Sequence, residues 1–352
     1  MSISTWCLMA LLALSSAAIG KETPAPPTGL QHGATFTAYP GCARNGELLR
    51  RFRSPLQALR IKASLANNPG ALRAQSLDPA RQHFALYVPP GPVPPNGYAL
   101  LVFVPPWDDA RVPAQWIPVL DRTHTIFVSA AHSGNDADVF NRREPLALVA
   151  AYNVMQHYRT DPKHVYVGGF SGGSRVALRL ALGYPDVFRG ALLDAGSDPI
   201  GTAQIPLPPI DLLHRFQQST RIVFLTGDLD ALHQTQQARA DESLQRWCVF
   251  DTTSITLLRT GHVLADAAGF ARALDALSRA IDPDARKLAA CNAGIEAALE
   301  SALRQVRSLI DAGRFEDAQR ALAAIDARYG GFAIPHSAEL QRKIDARWTH
   351  AR

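Results

Sequence analysis

The chain has 352 residues, 47% of them hydrophobic and 19% charged, enough for one large α/β domain plus a smaller appendage with a sizeable core. Its 36 Lys and Arg against 31 Asp and Glu leave a net charge of +5 and a pI near 9.2. The basic residues are scattered apart from Arg50, Arg51 and Arg53, which read as a solvated face. Without a basic stripe interleaved with aromatics, nucleic acid is not expected as a partner.

Residues 6–19 are mostly apolar, and Ala18 and Gly20 set small residues at −3 and −1 before Lys21. This reads as a secretory signal peptide over 1–20, although its n-region has no Lys or Arg. The apolar run falls short of the ~20 residues of a comfortable span. A secreted or periplasmic product with no stable membrane span after cleavage is the expectation. Cys42, Cys248 and Cys291 then remain, which suggests one disulfide and one further thiol, with the pairing open. None has metal-ligand spacing with a histidine, so no metal site is expected.

Residues 21–40 contain PAPPTG and little periodicity and read as a Pro-rich linker. From residue 41 to 282 strand candidates follow in order: 83–89, 98–104, 124–130, 164–170, 190–196, 221–227 and 254–260. Most are short apolar runs without clean alternation, as strands buried on both faces require. Helical patterns lie between them at 145–159 and 174–184, and another follows at 264–281. Alternating strands and helices predict a mostly parallel sheet with helices on both faces. Over 283–352, Ile295, Leu299, Leu303, Val306 and Ile310 recur at helical spacing, and so do Phe315, Ala318, Leu322, Ile325 and Tyr329. This is an α-hairpin, with a third helix after Pro335. It resembles one tetratricopeptide-type unit, which cannot bury its own face alone. Packing on the main domain is expected; docking a protein partner is the alternative.

Gly169-Phe170-Ser171-Gly172-Gly173 matches G-x-S-x-G between a clear strand and a clear helix. Such a turn needs glycine because side chains two places either side of the serine would collide. It lifts the hydroxyl above the sheet, where helix N-terminal amides also point. The plain alternative is a serine that only caps its helix. A serine nucleophile needs an imidazole to take its proton and a carboxylate to orient that imidazole. In such sheets the acid comes next in the chain and the histidine last. Asp230 follows the strand ending at Gly227, and His262 follows the last strand, so both fall beyond carboxyl ends of strands. Asp228 and, more distantly, Asp194 are alternative acids. His132 and His233 also follow strand ends, but a lone loop histidine is usually just solvated. Oxyanion donors are expected from the amides of Gly172 and Trp107, because Pro105 and Pro106 have no N–H. Trp107 could also wall the substrate.

Asp161-Pro162-Lys163-His164-Val165-Tyr166, the serine turn, and Tyr184-Pro185-Asp186-Val187-Phe188 together resemble secreted bacterial α/β-hydrolases of the polyhydroxybutyrate-depolymerase and feruloyl-esterase type. The likeness covers roughly residues 80–282. It implies an α/β-hydrolase fold and a serine esterase with Ser171 as nucleophile, Asp230 as acid and His262 as base. No cofactor is implied. The His-Gly usual after the third strand is replaced here by Pro105-Pro106, and no Ser/Thr-rich linker or polymer-binding module is seen. A small-molecule or oligomeric ester is therefore the expected substrate. A prolyl-oligopeptidase-like peptidase, or a non-catalytic binding protein on a hydrolase scaffold, are the rival readings.

Overall fold

The computed structural model describes residues 26–67 and 77–350; the expected signal peptide lies outside them. In chain order the elements begin with β1 (Gly29–Ala34), α1 (Asn45–Phe52), α2 (Pro55–Asn67), β2 (Phe84–Val88), β3 (Tyr98–Val104), α3 (Ile117–Arg122) and β4 (Thr125–Ala130). The centre follows with α4 (Glu144–His157), β5 (Thr160–Phe170), α5 (Gly172–Gly183), β6 (Gly190–Asp194), α6 (Ile210–Ser219) and β7 (Arg221–Gly227). The last part holds α7 (Ala231–Arg246), β8 (Thr252–Leu257), α8 (Ala267–Ser278), α9 (Ala285–Asp311), α10 (Phe315–Tyr329) and α11 (His336–His350).

The strands form one sheet in the order β1-β2-β4-β3-β5-β6-β7-β8. β1 and β2 run antiparallel, β2 runs antiparallel to β4, and every pairing from β4 to β8 is parallel. This is an α/β-hydrolase fold with a C-terminal helical region. β4, β6 and β7 are buried along their whole length, which is why their sequences read as unbroken apolar runs. Helices cover both faces. On one face Trp116 stacks on Phe270 with ring centroids 4.0 Å apart, joined by Phe103 and Phe127. The other face is filled by α4, α5 and α6 together with α1.

Two expectations are corrected. The segment 21–40 is not all linker, because Gly29–Ala34 pairs with β2. GLQHGA has two glycines and no alternation; its extended state comes from the ladder offered by the β2 edge, and the register slips between Gln31 and Ala34. The Arg50-Arg51-Arg53 cluster is not simply solvated either. Arg51 is buried, clamps Asp186 at 2.6 and 2.9 Å, and lies 4.2 Å over the Tyr184 ring.

The tail packs on the body. Leu299, Leu303, Val306, Leu322, Ile325 and Ile344 join the core on the α5 face. Asp326 of α10 accepts hydrogen bonds from Ser54 Oγ and from the Leu56 amide at the start of α2, the latter at 2.9 Å. Tyr329 meets Trp247 edge-on at 5.7 Å. Cys248 and Cys291 form a disulfide between the end of α7 and α9. Cys42, half-buried, lies outside it. No helix among the described residues is long and apolar enough to cross a membrane.

Candidate active site

β5 ends at Phe170 and α5 begins at Gly172, so Ser171 alone turns the chain. Its φ of 54° and ψ of −121° lie outside the ordinary L-residue regions. Neighbouring glycines make the turn sterically feasible. A Cβ on Gly169 would sit 2.3 Å from the Gly173 carbonyl carbon, and one on Gly173 would sit 1.9 Å from the Val104 oxygen. The turn is pinned by the Ser171 amide on the Asp194 carbonyl at 2.8 Å, and by Ser174 Oγ on the Gly169 and Asp194 carbonyls at 2.6 and 2.8 Å. Ser171 sits at the N-cap, but its side chain makes no capping hydrogen bond.

Its hydroxyl instead meets His262. Ser171 Oγ lies 3.0 Å from His262 Nε2, and His262 Nδ1 lies 2.9 Å from Asp230 Oδ2. His262 comes from the loop between β8 and α8, and Asp230 from the N-cap of α7 just beyond β7. Residues 91 and 32 positions apart are thus joined because β5, β7 and β8 end at the same rim. Burial opposes the Asp230 charge, but hydrogen bonds from His233 and His262 outweigh it and hold the carboxyl below its ordinary range. An ionised carboxylate can only accept, so it fixes the His262 proton on Nδ1 and leaves Nε2 to accept from the serine hydroxyl.

His233 is not a solvated loop residue. It lies in the first turn of α7, with Nδ1 2.8 Å from Asp230 Oδ1 and a side chain only 11% exposed. Its ring stacks on one face of His262, and Phe170 covers the other at a centroid distance of 5.0 Å. The signal for it was the i, i+3 spacing from Asp230 at a helix start, which brings the two side chains together once α7 forms. Asp230, His233 and His262 place one potential ligand atom each within 4.8 Å of the others, a set with zinc-binding chemistry. Here both Nδ1 atoms are committed to the carboxylate.

The other candidates lie apart. Asp228 is exposed and binds the Thr260 amide at 3.0 Å, bracing the loop that carries His262. Asp194 is buried; it accepts from the Ala265 amide at 2.8 Å, and burial pushes its carboxyl up to about 8. It anchors the far end of that same loop. His132 is exposed, has a φ of 51°, and its backbone bonds Asp108 and Arg142.

Pro105 to Trp107 lie against the serine turn, as the Gly173–Val104 contact requires. Asn135 packs there too: its amide donates to the Pro106 carbonyl at 3.0 Å, and its Oδ1 sits 2.2 Å from where a Gly172 Cβ would be. Among the described residues neither the Gly172 nor the Trp107 amide donates to a protein group. The Trp107 ring does not wall the cleft. It packs on Phe103 and Phe170 at 6.4 and 6.2 Å, with Arg111 at 4.1 Å over it.

A cleft of about 680 Å³ opens beside Ser171 and Gly172. Asn135 and several arginines line it, none of which sequence reasoning had placed there. A second cavity of about 700 Å³, with Asp161 and His164, lies at the amino ends of β3, β4 and β5, the wrong rim for this constellation.

No family model matches the chain. Over 56 residues it is 48% identical to a protein of Nocardia uniformis subsp. tsuyamanensis named “Putative esterase NocK”, a stretch that covers 16% of either chain. Among solved structures it is similar to the poly(3-hydroxybutyrate) depolymerase LpqC of Bordetella parapertussis, at 19% identity over 60% of this chain and 88% of that one, with a TM-score of 0.42. It is also similar to an S-formylglutathione hydrolase of Staphylococcus aureus, at 13% identity over 56% and 93%, with a TM-score of 0.45. The strand order defines the fold independently of these distant likenesses, and the site geometry bears on function.

Proposed function

We propose that the protein is a serine carboxylic-ester hydrolase. The observation that carries this reading is one imidazole with Nε2 3.0 Å from Ser171 Oγ and Nδ1 2.9 Å from Asp230. His262 takes the hydroxyl proton as Oγ attacks the ester carbonyl. Asp230, kept ionised, stabilises the imidazolium that forms. The amides of Gly172, at the N-terminus of α5, and Trp107 receive the developing oxyanion. His262 then protonates the departing alcohol. Water activated by the same ring attacks the acyl-enzyme, and the acid leaves.

The apolar leader, the three remaining cysteines and the Cys248–Cys291 disulfide support an exported protein. The substrate is a small or oligomeric ester. Side-by-side turnover of p-nitrophenyl esters of graded chain length and of peptide p-nitroanilides tests the proposal. Ester turnover with inert peptides is expected; peptide turnover without ester turnover would make the protein a peptidase, and inertness to both a binding protein.

A further inference from the structure

Four guanidinium groups, those of Arg53, Arg143, Arg175 and Arg179, line the cleft that holds Ser171, against the two carboxylates of Asp138 and Asp198. Their partners are unequal. Arg179 bonds the buried Glu144 at 2.6 Å, and Arg175 lies 3.6 Å from Asp198. Arg143 hydrogen-bonds only to carbonyls, those of Ser133 at 2.9 Å and Pro105 at 2.8 Å, while Asp108 and Glu144 act on its charge from nearby. Asp138 spends an oxygen on the Asn141 amide at 2.6 Å.

Arg53 is the unusual one. Among the described residues it makes neither a hydrogen bond nor an ion pair, and its buried Nε has no acceptor. Its guanidinium lies 4.8 Å from the centroid of the Phe140 ring. Burial and the nearby Arg179 cation work against its charge and outweigh the nearby Glu144 and Asp138 carboxylates. A guanidinium left without hydrogen-bonded partners on the wall of the cleft can take a carboxylate in two parallel hydrogen bonds.

Resting on the esterase reading, we infer that the preferred substrate is an ester that carries a second, free carboxylate, and that Arg53 receives that carboxylate in the cleft beside Ser171. Arg53 acts here as a specificity residue; it takes no part in acyl transfer.

The test compares matched esters at low ionic strength. Mono-p-nitrophenyl adipate is set against p-nitrophenyl methyl adipate for a carboxylate on the acyl side. For the alcohol side, 4-acetoxybenzoate is set against its methyl ester. In the wild type, kcat/KM for the anionic member of at least one pair exceeds the neutral one by about tenfold or more, the worth of one charge-assisted pair. The ratio drops towards one in Arg53→Gln and at high salt, and Arg53→Lys retains part of it. Binding supplies a readout free of turnover: Ser171→Ala binds adipate more tightly than dimethyl adipate by calorimetry. Neutral esters turned over as well as anionic ones would overturn the inference and leave the esterase reading standing. Adipate bound selectively by a protein inert to every ester would keep the carboxylate site at Arg53 but overturn the esterase reading and, with it, the ester substrate inferred here. Equal binding of adipate and dimethyl adipate would contradict the anion site outright.

Discussion

The imidazole of His233 lies flat against that of His262, with centroids 4.1 Å apart and planes inclined by 11°. Each ring holds one oxygen of Asp230 through Nδ1. The carboxylate that orients the proposed base is therefore itself shared, and His262 is held between His233 and Phe170. Replacing His233 with Ala removes one donor to the carboxylate and one wall of the base. We expect kcat/KM to fall roughly tenfold, the worth of one charged hydrogen bond, mostly in kcat. The unshared carboxylate attracts an imidazolium more strongly, so the acid limb of the pH profile moves to higher pH. A fall in activity with that limb unmoved would give His233 a merely structural role.

Asp230 and Asp228 should separate cleanly. Asp230→Asn puts an amide donor where an acceptor is required and spoils the tautomer, so kcat should drop on the order of 10⁴ with KM little changed. Asp228→Asn still accepts from the Thr260 amide in that exposed loop and should keep most of the activity. The carboxyl of Asp230 is held below its ordinary range, so it stays charged as the profile falls on acidification. That fall should follow a single proton taken up by the base, and kinetics measured from pH 4 to 9 will show it.

Asp194 makes a prediction about stability. Burial pushes its carboxyl up to about 8 in the fold, well above the ordinary ~3.9 of an unfolded chain. The folded state thus holds this proton more tightly. The resulting stability is fully present below about pH 4 and is lost as pH rises through 8. Asp194→Asn cannot ionise and can still accept from the Ala265 amide. Its melting temperature relative to wild type should therefore climb by a few degrees between pH 5 and 9. Parallel melting curves across that range would contradict the assignment.

Two glycines of the serine turn should respond differently to alanine. At Gly173 the new methyl would meet the Val104 carbonyl oxygen at 1.9 Å, a backbone atom of a strand paired there with β5. At Gly172 it would meet the Asn135 amide, whose side chain is exposed and can swing away. Gly173→Ala should lose soluble folded protein; Gly172→Ala should fold with a near-native melting curve. Circular dichroism on both variants decides it.

The central strands were legible because burial on both faces leaves little choice but an apolar run: 98–104 and 221–227 match β3 and β7 to the residue. The serine turn was legible because its steric demand is local. β1 was not, since its extended state depends on β2 rather than on its own residues. α7 was missed because its surface is polar, with only Ala240, Ser243 and Leu244 buried, and the packing of His233 on Asp230 was missed with it. The arginine-lined cleft was out of reach for another reason. Arg53 precedes the β2–β8 core and Arg143, Arg175 and Arg179 follow β4 and β5, so only the tertiary fold gathers them.

The most direct measurement is covalent labelling of the intact wild-type protein with a fluorophosphonate, followed by mass spectrometry of its peptides. The account requires stoichiometric modification of Ser171 with parallel loss of ester turnover, and no labelling of Ser171→Ala. Attachment at another serine, or full turnover in Ser171→Ala, would contradict it.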